Sequence, residues 1–311
     1  MNAKNLSSLV LVCASILCAS PASAQIVPTG KGTALVSPAV HYDVSAPLRD
    51  MNGDYNLNVQ REIPIGRIPR SSAPNAQAFD PVAQTAATRL LAPTPGLNFD
   101  GVGQGFTGPA GTYTVNSAPP DTNGAVGDTQ YVQIVNSAFA VFNKTTGAVV
   151  LGPVATNTLW SGFSGGCQTN NDGDGSVVYD KIANRWVITQ FSVTTSPYLQ
   201  CVAVSTTSDA TGTYSRYAFD YGNTAFPDYP KMAAWPDAYY ITYNIFNGST
   251  FAGAKICAFD RAKMLAGQPT TQQCFNTSTA YGGLLPSDLD GAALPPAVRP
   301  TRSWAWAPST D

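Results

Sequence analysis

The chain reads as an all-β repeat array, and three observations carry that reading. Charged residues make up only 12% of it, with 27 Gly and 24 Pro in 311 residues, against about 25% charged in typical domains. Apolar and aromatic runs of strand length are separated by Gly, Pro, Asp and Asn turns. Three of these runs open alike, on Asp121, Asp174 and Asp228, spaced 53 and 54 residues apart. A period near 50 with several short strands per unit predicts a β-propeller-like array of about three blades. One four-stranded sheet cannot cover both of its faces, so successive sheets stack.

The three openers are "PDTNGAVGDTQYVQIVN" from Pro120, "GDGSVVYDKIANRWVITQF" from Gly173 and "PDYPKMAAWPDAYYITYN" from Pro227. Each passes through a short run of small or apolar residues to a second aspartate (Asp128, Asp180, Asp237). Each ends in an apolar-aromatic strand. A second element follows each: "FAVFNKTTGAVV", "CVAVSTTSDATGTY" and "ICAFDRAKMLAG". The first two read as a strand, a turn at Gly147 or Gly212, and a returning strand. In the third, "DRAKMLAG" also suits one helical turn. The array is placed at residues 107–297. Three blades are fewer than the about four to eight that close a propeller, so the expected array is incomplete. The tail, residues 298–311, lacks strand alternation and reads as truncated or out of frame.

Ahead of the array stand two different segments. Residues 1–24 have the make-up of a secretory signal peptide: Lys4, the apolar run "LSSLVLVCASILCA", and an Ala22-Ser23-Ala24 cleavage site. A secreted or periplasmic protein is expected. No other stretch approaches the roughly 18 apolar residues of a membrane span. Residues 25–106 form a Pro/Ala/Ser-rich lead-in, read as partly disordered, with one short helix expected over Pro81–Leu91.

Cleavage takes Lys4 from 17 basic residues, leaving 16 against 19 acidic ones and a net charge of −3. That balance offers no electrostatic footprint for nucleic acid. Four cysteines remain: Cys167, Cys201, Cys257 and Cys274. An even count in an oxidising compartment predicts disulfides. Three pairings are possible, and Cys167–Cys201 with Cys257–Cys274 closes each loop inside one repeat. Zinc is the rival use, disfavoured by the lack of a C-x-x-C pair and by His41 being the one histidine.

The acidic loop "NNDGDG" raises calcium as a cofactor, with Asn170, Asp172 and Asp174 as the ligands. The match to a calcium loop breaks at Lys181, where the twelfth position needs a carboxylate. The alternative is a turn, in which Asp and Asn bond their own backbone and Gly permits positive φ. A glycosidase pair would have to be aspartates, because the mature chain has one glutamate, Glu62. Yet Asp121, Asp174 and Asp228 recur in every repeat, as structural residues do. No nucleophile elbow and no phosphate-binding loop is present. Trp160, Phe163, Tyr198, Phe226 and Tyr229 lie beside Gly, Ser and Pro, where loop aromatics could form a platform for a glycan or a peptide.

The segments "PPDTNGAVGDTQYVQIVN", "VVYDKIANRWVITQF", "CVAVSTTSDATGTYSRYAF" and "FPDYPKMAAWPDAYYITYN" resemble motifs of a family of large secreted bacterial proteins, mostly uncharacterised and β-propeller-like. The resemblance spans roughly Asn98 to Pro296. It implies the fold and carries no activity. A weaker similarity links "TSDATGTY" (Thr207, Asp209, Gly212, Thr213, Tyr214) to the Asp-box turn of sialidase-type propellers. There the box is a structural turn, so it too implies fold. The expectation is a secreted binding or surface-interaction module with no identifiable catalytic constellation. A secreted glycoside hydrolase using aspartates and a structural envelope protein are the alternatives.

Overall fold

A computed structural model describes residues 33–51, 66–68, 96–115 and 118–289. The signal peptide, the helix expected over Pro81–Leu91, Glu62 and the tail from 298 lie outside them. The strands are β1 (Leu35–Pro38), β2 (His41–Val44), β3 (Thr107–Gly108), β4 (Gly111–Thr112), β5 (Asn123–Val126), β6 (Gln130–Val135), β7 (Ala138–Asn143) and β8 (Val149–Ala155). The short helix α1 (Gly166–Thr169) follows. Then come β9 (Ser176–Asp180), β10 (Arg185–Ser192), β11 (Leu199–Ser205), β12 (Tyr214–Asp220), β13 (Ala225–Ala234), β14 (Tyr239–Asn247) and β15 (Thr250–Phe259). Helix α2 (Arg261–Leu265) and β16 (Thr271–Asn276) complete the order. The fold is all-β, and among the described residues none of its sheets is closed.

Three consecutive antiparallel meanders make the body: β5-β6-β7-β8, β9-β10-β11-β12 and β13-β14-β15-β16. Each is one repeat unit. The middle sheet explains the long apolar runs in its sequence. On β10, Trp186 and Ile188 join the core shared with the first sheet (Val132, Ile134, Phe139, Val141), while Val187 joins the core shared with the third. On β11, Cys201 and Ala203 face the first sheet and Val202 and Val204 the third. Alternate side chains leave a strand on opposite faces, so a sheet covered on both sides needs apolar residues at every position.

The outer faces of the stack are covered as well. Phe99 and Phe106 lie on Phe142 of the first sheet, and the Val102 N–H donates to the Gln133 side chain at 2.7 Å. On the third sheet, the Gly283 N–H donates to the Asn244 side chain at 2.8 Å and the Ala234 N–H to Asp288 Oδ1 at 2.8 Å. These segments act as caps, which a stack of repeats requires at its ends.

Two strands come from the lead-in. β1 pairs with β16 and β2 with β12, so one ten-residue run completes the edges of both the third and the second sheet. Asp43 of β2 forms a two-pronged ion pair with the buried Arg216 of β12, at 2.6 and 2.8 Å. Leu48 is buried beyond it.

The disulfides are Cys167–Cys201, tying α1 to β11, and Cys257–Cys274, joining directly opposed residues of β15 and β16. The third repeat corrects the sequence alignment by one residue. The residue with positive φ is Asp121 (φ 41°) two positions before β5, Asp174 (φ 46°) two positions before β9, and then Tyr229 (φ 56°) inside β13, not Asp228. The cause is a bulge in β13 between Asp228 and Lys231. Asn123, Ser176 and Lys231 are therefore the equivalent residues, each two positions after the residue with positive φ.

Candidate functional site

The first strands β5, β9 and β13 run side by side, with β9 between the other two. Their opening turns therefore meet. Asn136, just after β6, ties the first two together. Its amide donates to Asp121 Oδ2 at 2.9 Å and to the Pro119 carbonyl at 2.7 Å, and its carbonyl oxygen accepts from the Asp174 N–H at 2.8 Å. Asn123 does the same one turn along: it donates to the Gly175 carbonyl at 2.8 Å and accepts from the Val177 N–H at 2.9 Å.

This stitching places three carboxyl groups and one amine together. Asp121 is exposed, while Asp174, Asp228 and Lys231 are half-buried. Burial pushes Asp174 up to about 7, helped by a hydrogen bond shared with the Asp121 carboxyl and only partly offset by Lys231. Burial likewise raises Asp228 to about 6, against the Tyr229 backbone N–H and the Lys231 charge, which pull it down. The Lys231 amine is lowered by its own burial, though all three aspartates hold it up. Its ammonium lies 3.8 Å from the ring centre of Tyr229, which is 41% exposed. Acids that titrate near neutrality beside an exposed tyrosine can accept hydrogen bonds from hydroxyl or amine groups, or donate one when protonated.

The other expected ligands point elsewhere. Asp172 turns to the end of β10, where its oxygens accept from the N–H groups of Val193 and Thr194 and from the Thr194 hydroxyl, at 2.7–2.9 Å. The Asn170 amide donates to the hydroxyls of Ser192 and Thr195. Asn170 and Asp172 are thus both bonded to the chain at the end of β10, while Asp174 faces Asp121 and Lys231. Among the described residues no group of three or more His, Cys, Asp or Glu side chains is arranged to hold a metal ion.

The aromatic platform changes too. Trp160 and Phe163 are buried against the middle sheet, and Phe226 packs with Phe191 and Phe246. None of these three offers a ring face to solvent, because the segment carrying Trp160 and Phe163 folds inward and Phe226 is part of β13 itself. Tyr198 is half-buried, edge-on to Phe226. Of the five expected platform residues, Tyr229 alone is exposed.

Asp180 serves the scaffold. It accepts from the Tyr239 hydroxyl at 2.8 Å, from Arg261 at 2.6 and 3.0 Å, and from the N–H groups of Ile182 and Ala183. Burial works to raise its pKa, but the bonds from Arg261, Tyr239 and Ala183 outweigh it and hold the carboxyl below its ordinary range. The clamp joins the second sheet to the third. Asp209, in the Asp-box-like turn, binds Gln130 of the first sheet and Arg49 after β2.

Sequence reasoning passed over Lys231 and Asn136. The signal for Lys231 was a lysine at the position that holds Asn123 and Ser176 in the other repeats. Asn136 carried none, since its role depends on two turns meeting. A scan against protein-family models finds no match, and no curated protein matches the sequence. No helix among the described residues is long and apolar enough to cross a membrane.

Proposed function

We propose that the protein is a secreted binding module of propeller-like architecture, and that it holds its ligand at the junction of β5, β9 and β13. The observation that carries this reading is the convergence of Asp121, Asp174, Asp228 and Lys231 from three separate sheets. Repeated positions come together only where the first strands of successive sheets lie side by side. That radial order, with three meanders in a row, supports the propeller-like reading, and the two disulfides fit an oxidising compartment.

The chemistry suits a glycan. Carboxylates accept from sugar hydroxyls, and an exposed tyrosine ring packs against sugar C–H groups. A glycan array followed by calorimetry tests it. Binding that falls at least tenfold in Asp228→Asn and Tyr229→Ala supports the reading, and no binding to any glycan ends it.

A glycoside hydrolase is the second reading, favoured by the raised Asp174. Against it, Asp121 and Asp174 share a hydrogen bond, whereas glycosidase carboxyl groups stand about 5–10 Å apart. Turnover of a glycan that disappears in Asp174→Asn would favour the hydrolase over the binding module.

A further inference from the structure

Asn-Gly occurs twice among the described residues, at Asn123-Gly124 and at Asn247-Gly248, and the fold treats the two copies in opposite ways. Asn123 lies in β5 with both ends of its amide engaged. It donates to the Gly175 carbonyl at 2.8 Å and accepts from the Val177 N–H at 2.9 Å. Gly124 stands opposite Gln133 in the ladder, with the Tyr131 ring against it. Asn247 is the last residue of β14, and Gly248 the first of a two-residue tip that turns into β15. Gly248 takes φ 60°, as the first residue of a tight hairpin turn requires. Both residues are exposed. Neither the Asn247 amide nor the Gly248 N–H makes a hydrogen bond among the described residues. The ladder register shifts between Ile245 and Phe246, so Asn247 sits beyond its regular part.

We propose that Asn247 is a site of spontaneous deamidation, which gives the protein a second, more acidic form as it ages. The Gly248 amide nitrogen gives up its proton to hydroxide and attacks Asn247 Cγ. The new C–N bond closes a succinimide ring, and Nδ2 leaves as ammonia with a proton taken from water. Water then adds to either ring carbonyl and breaks that carbon's bond to the ring nitrogen. The product is aspartate or isoaspartate, according to which carbonyl is attacked. An amide is exchanged for an acid, with water consumed, ammonia released and no change of oxidation state. Glycine favours the step because no Cβ crowds the attacking nitrogen, and open space surrounds Gly248. Asn123 is protected, since ring closure there would break both of its hydrogen bonds and pull Gly124 out of the ladder. The new carboxylate stands opposite Ala225, three residues before Asp228 on β13. The added charge therefore enters at the end of the sheet that leads into the candidate site.

Peptide mapping by mass spectrometry tests the proposal, on the folded protein held at about pH 8.5 and about 37 °C and on the same protein in urea. In the folded protein, aspartate and isoaspartate should accumulate at position 247 at least tenfold faster than at position 123. In urea the two positions should convert at similar rates, because the protection of Asn123 comes from the fold. An Asn247 that keeps its amide in the folded protein, or that reacts no faster than Asn123, overturns the proposal. So does an Asn123 that stays intact in urea, or a product at position 247 that contains aspartate without isoaspartate.

Discussion

Asp174→Asn should stabilise the protein at pH 8 and leave it nearly unchanged at pH 4. The folded Asp174 carboxyl titrates at about 7, against 3.8 for an ordinary aspartate. Between those values the folded state binds the extra proton, so stability falls as pH rises, and the penalty for ionising is complete above pH 7. Three pH units correspond to about 4 kcal/mol at 1.36 kcal/mol per unit. Asp174 is half-buried and faces Lys231, so solvent screening reduces the expected effect to about 1–2 kcal/mol. Asparagine tolerates the positive φ of this turn, and its amide can donate to Asp121 as the protonated acid does. The assay is urea unfolding at pH 4, 6 and 8 for both proteins. The wild type should lose stability from pH 4 to pH 8 with a steeper slope than the variant. Asp228 is raised in the same direction and leaves a residual slope in the variant. Equal slopes in the two proteins would refute the buried-carboxyl argument.

Asp180→Asn should cost about 3–5 kcal/mol in urea unfolding at pH 7, because Arg261 is left with its charge uncompensated. Adding Arg261→Met should recover part of that loss, and a fully additive double variant would count against the clamp. Asp43→Ala should cost about 3 kcal/mol by the same argument, since Arg216 is 3% exposed; protease digestion should then cut first near residues 35–51. Replacing Cys167 and Cys201 by serine should destabilise more than replacing Cys257 and Cys274. The loops span 34 and 17 residues, and a doubled loop adds about 0.6 kcal/mol. Intact mass before and after reduction checks the count of bridges.

Much of the fold was legible locally. Gly-Asp and Pro-Asp turns followed by β-branched and aromatic runs mark strands wherever they occur, and the repeat of that pattern marked the three meanders. The cysteine pairing followed from the repeat, because a loop closed inside one unit brings its ends together. The site was legible in part. Asp121, Asp174 and Asp228 stood out as repeat openers, but recurrence made them look structural, and the bulge in β13 hid that Tyr229 and not Asp228 takes the positive φ. The loop aromatics misled because Gly- and Ser-rich surroundings mark a loop without saying which way it folds. Trp160 and Phe163 went inward to fill the face of the middle sheet.

By itself the sequence determined composition, turns, strand periodicity and repeat, which depend on neighbours within a few residues or on one fixed spacing. Tertiary structure alone decided that residues 35–44 edge two different sheets, that Asp180 meets Arg261 across 81 residues, and that the three openers gather around Lys231. Burial and pairing at such distances are set by which strands lie side by side. No local pattern encodes that, because the free energy that selects it comes from faces brought together only when the sheets stack.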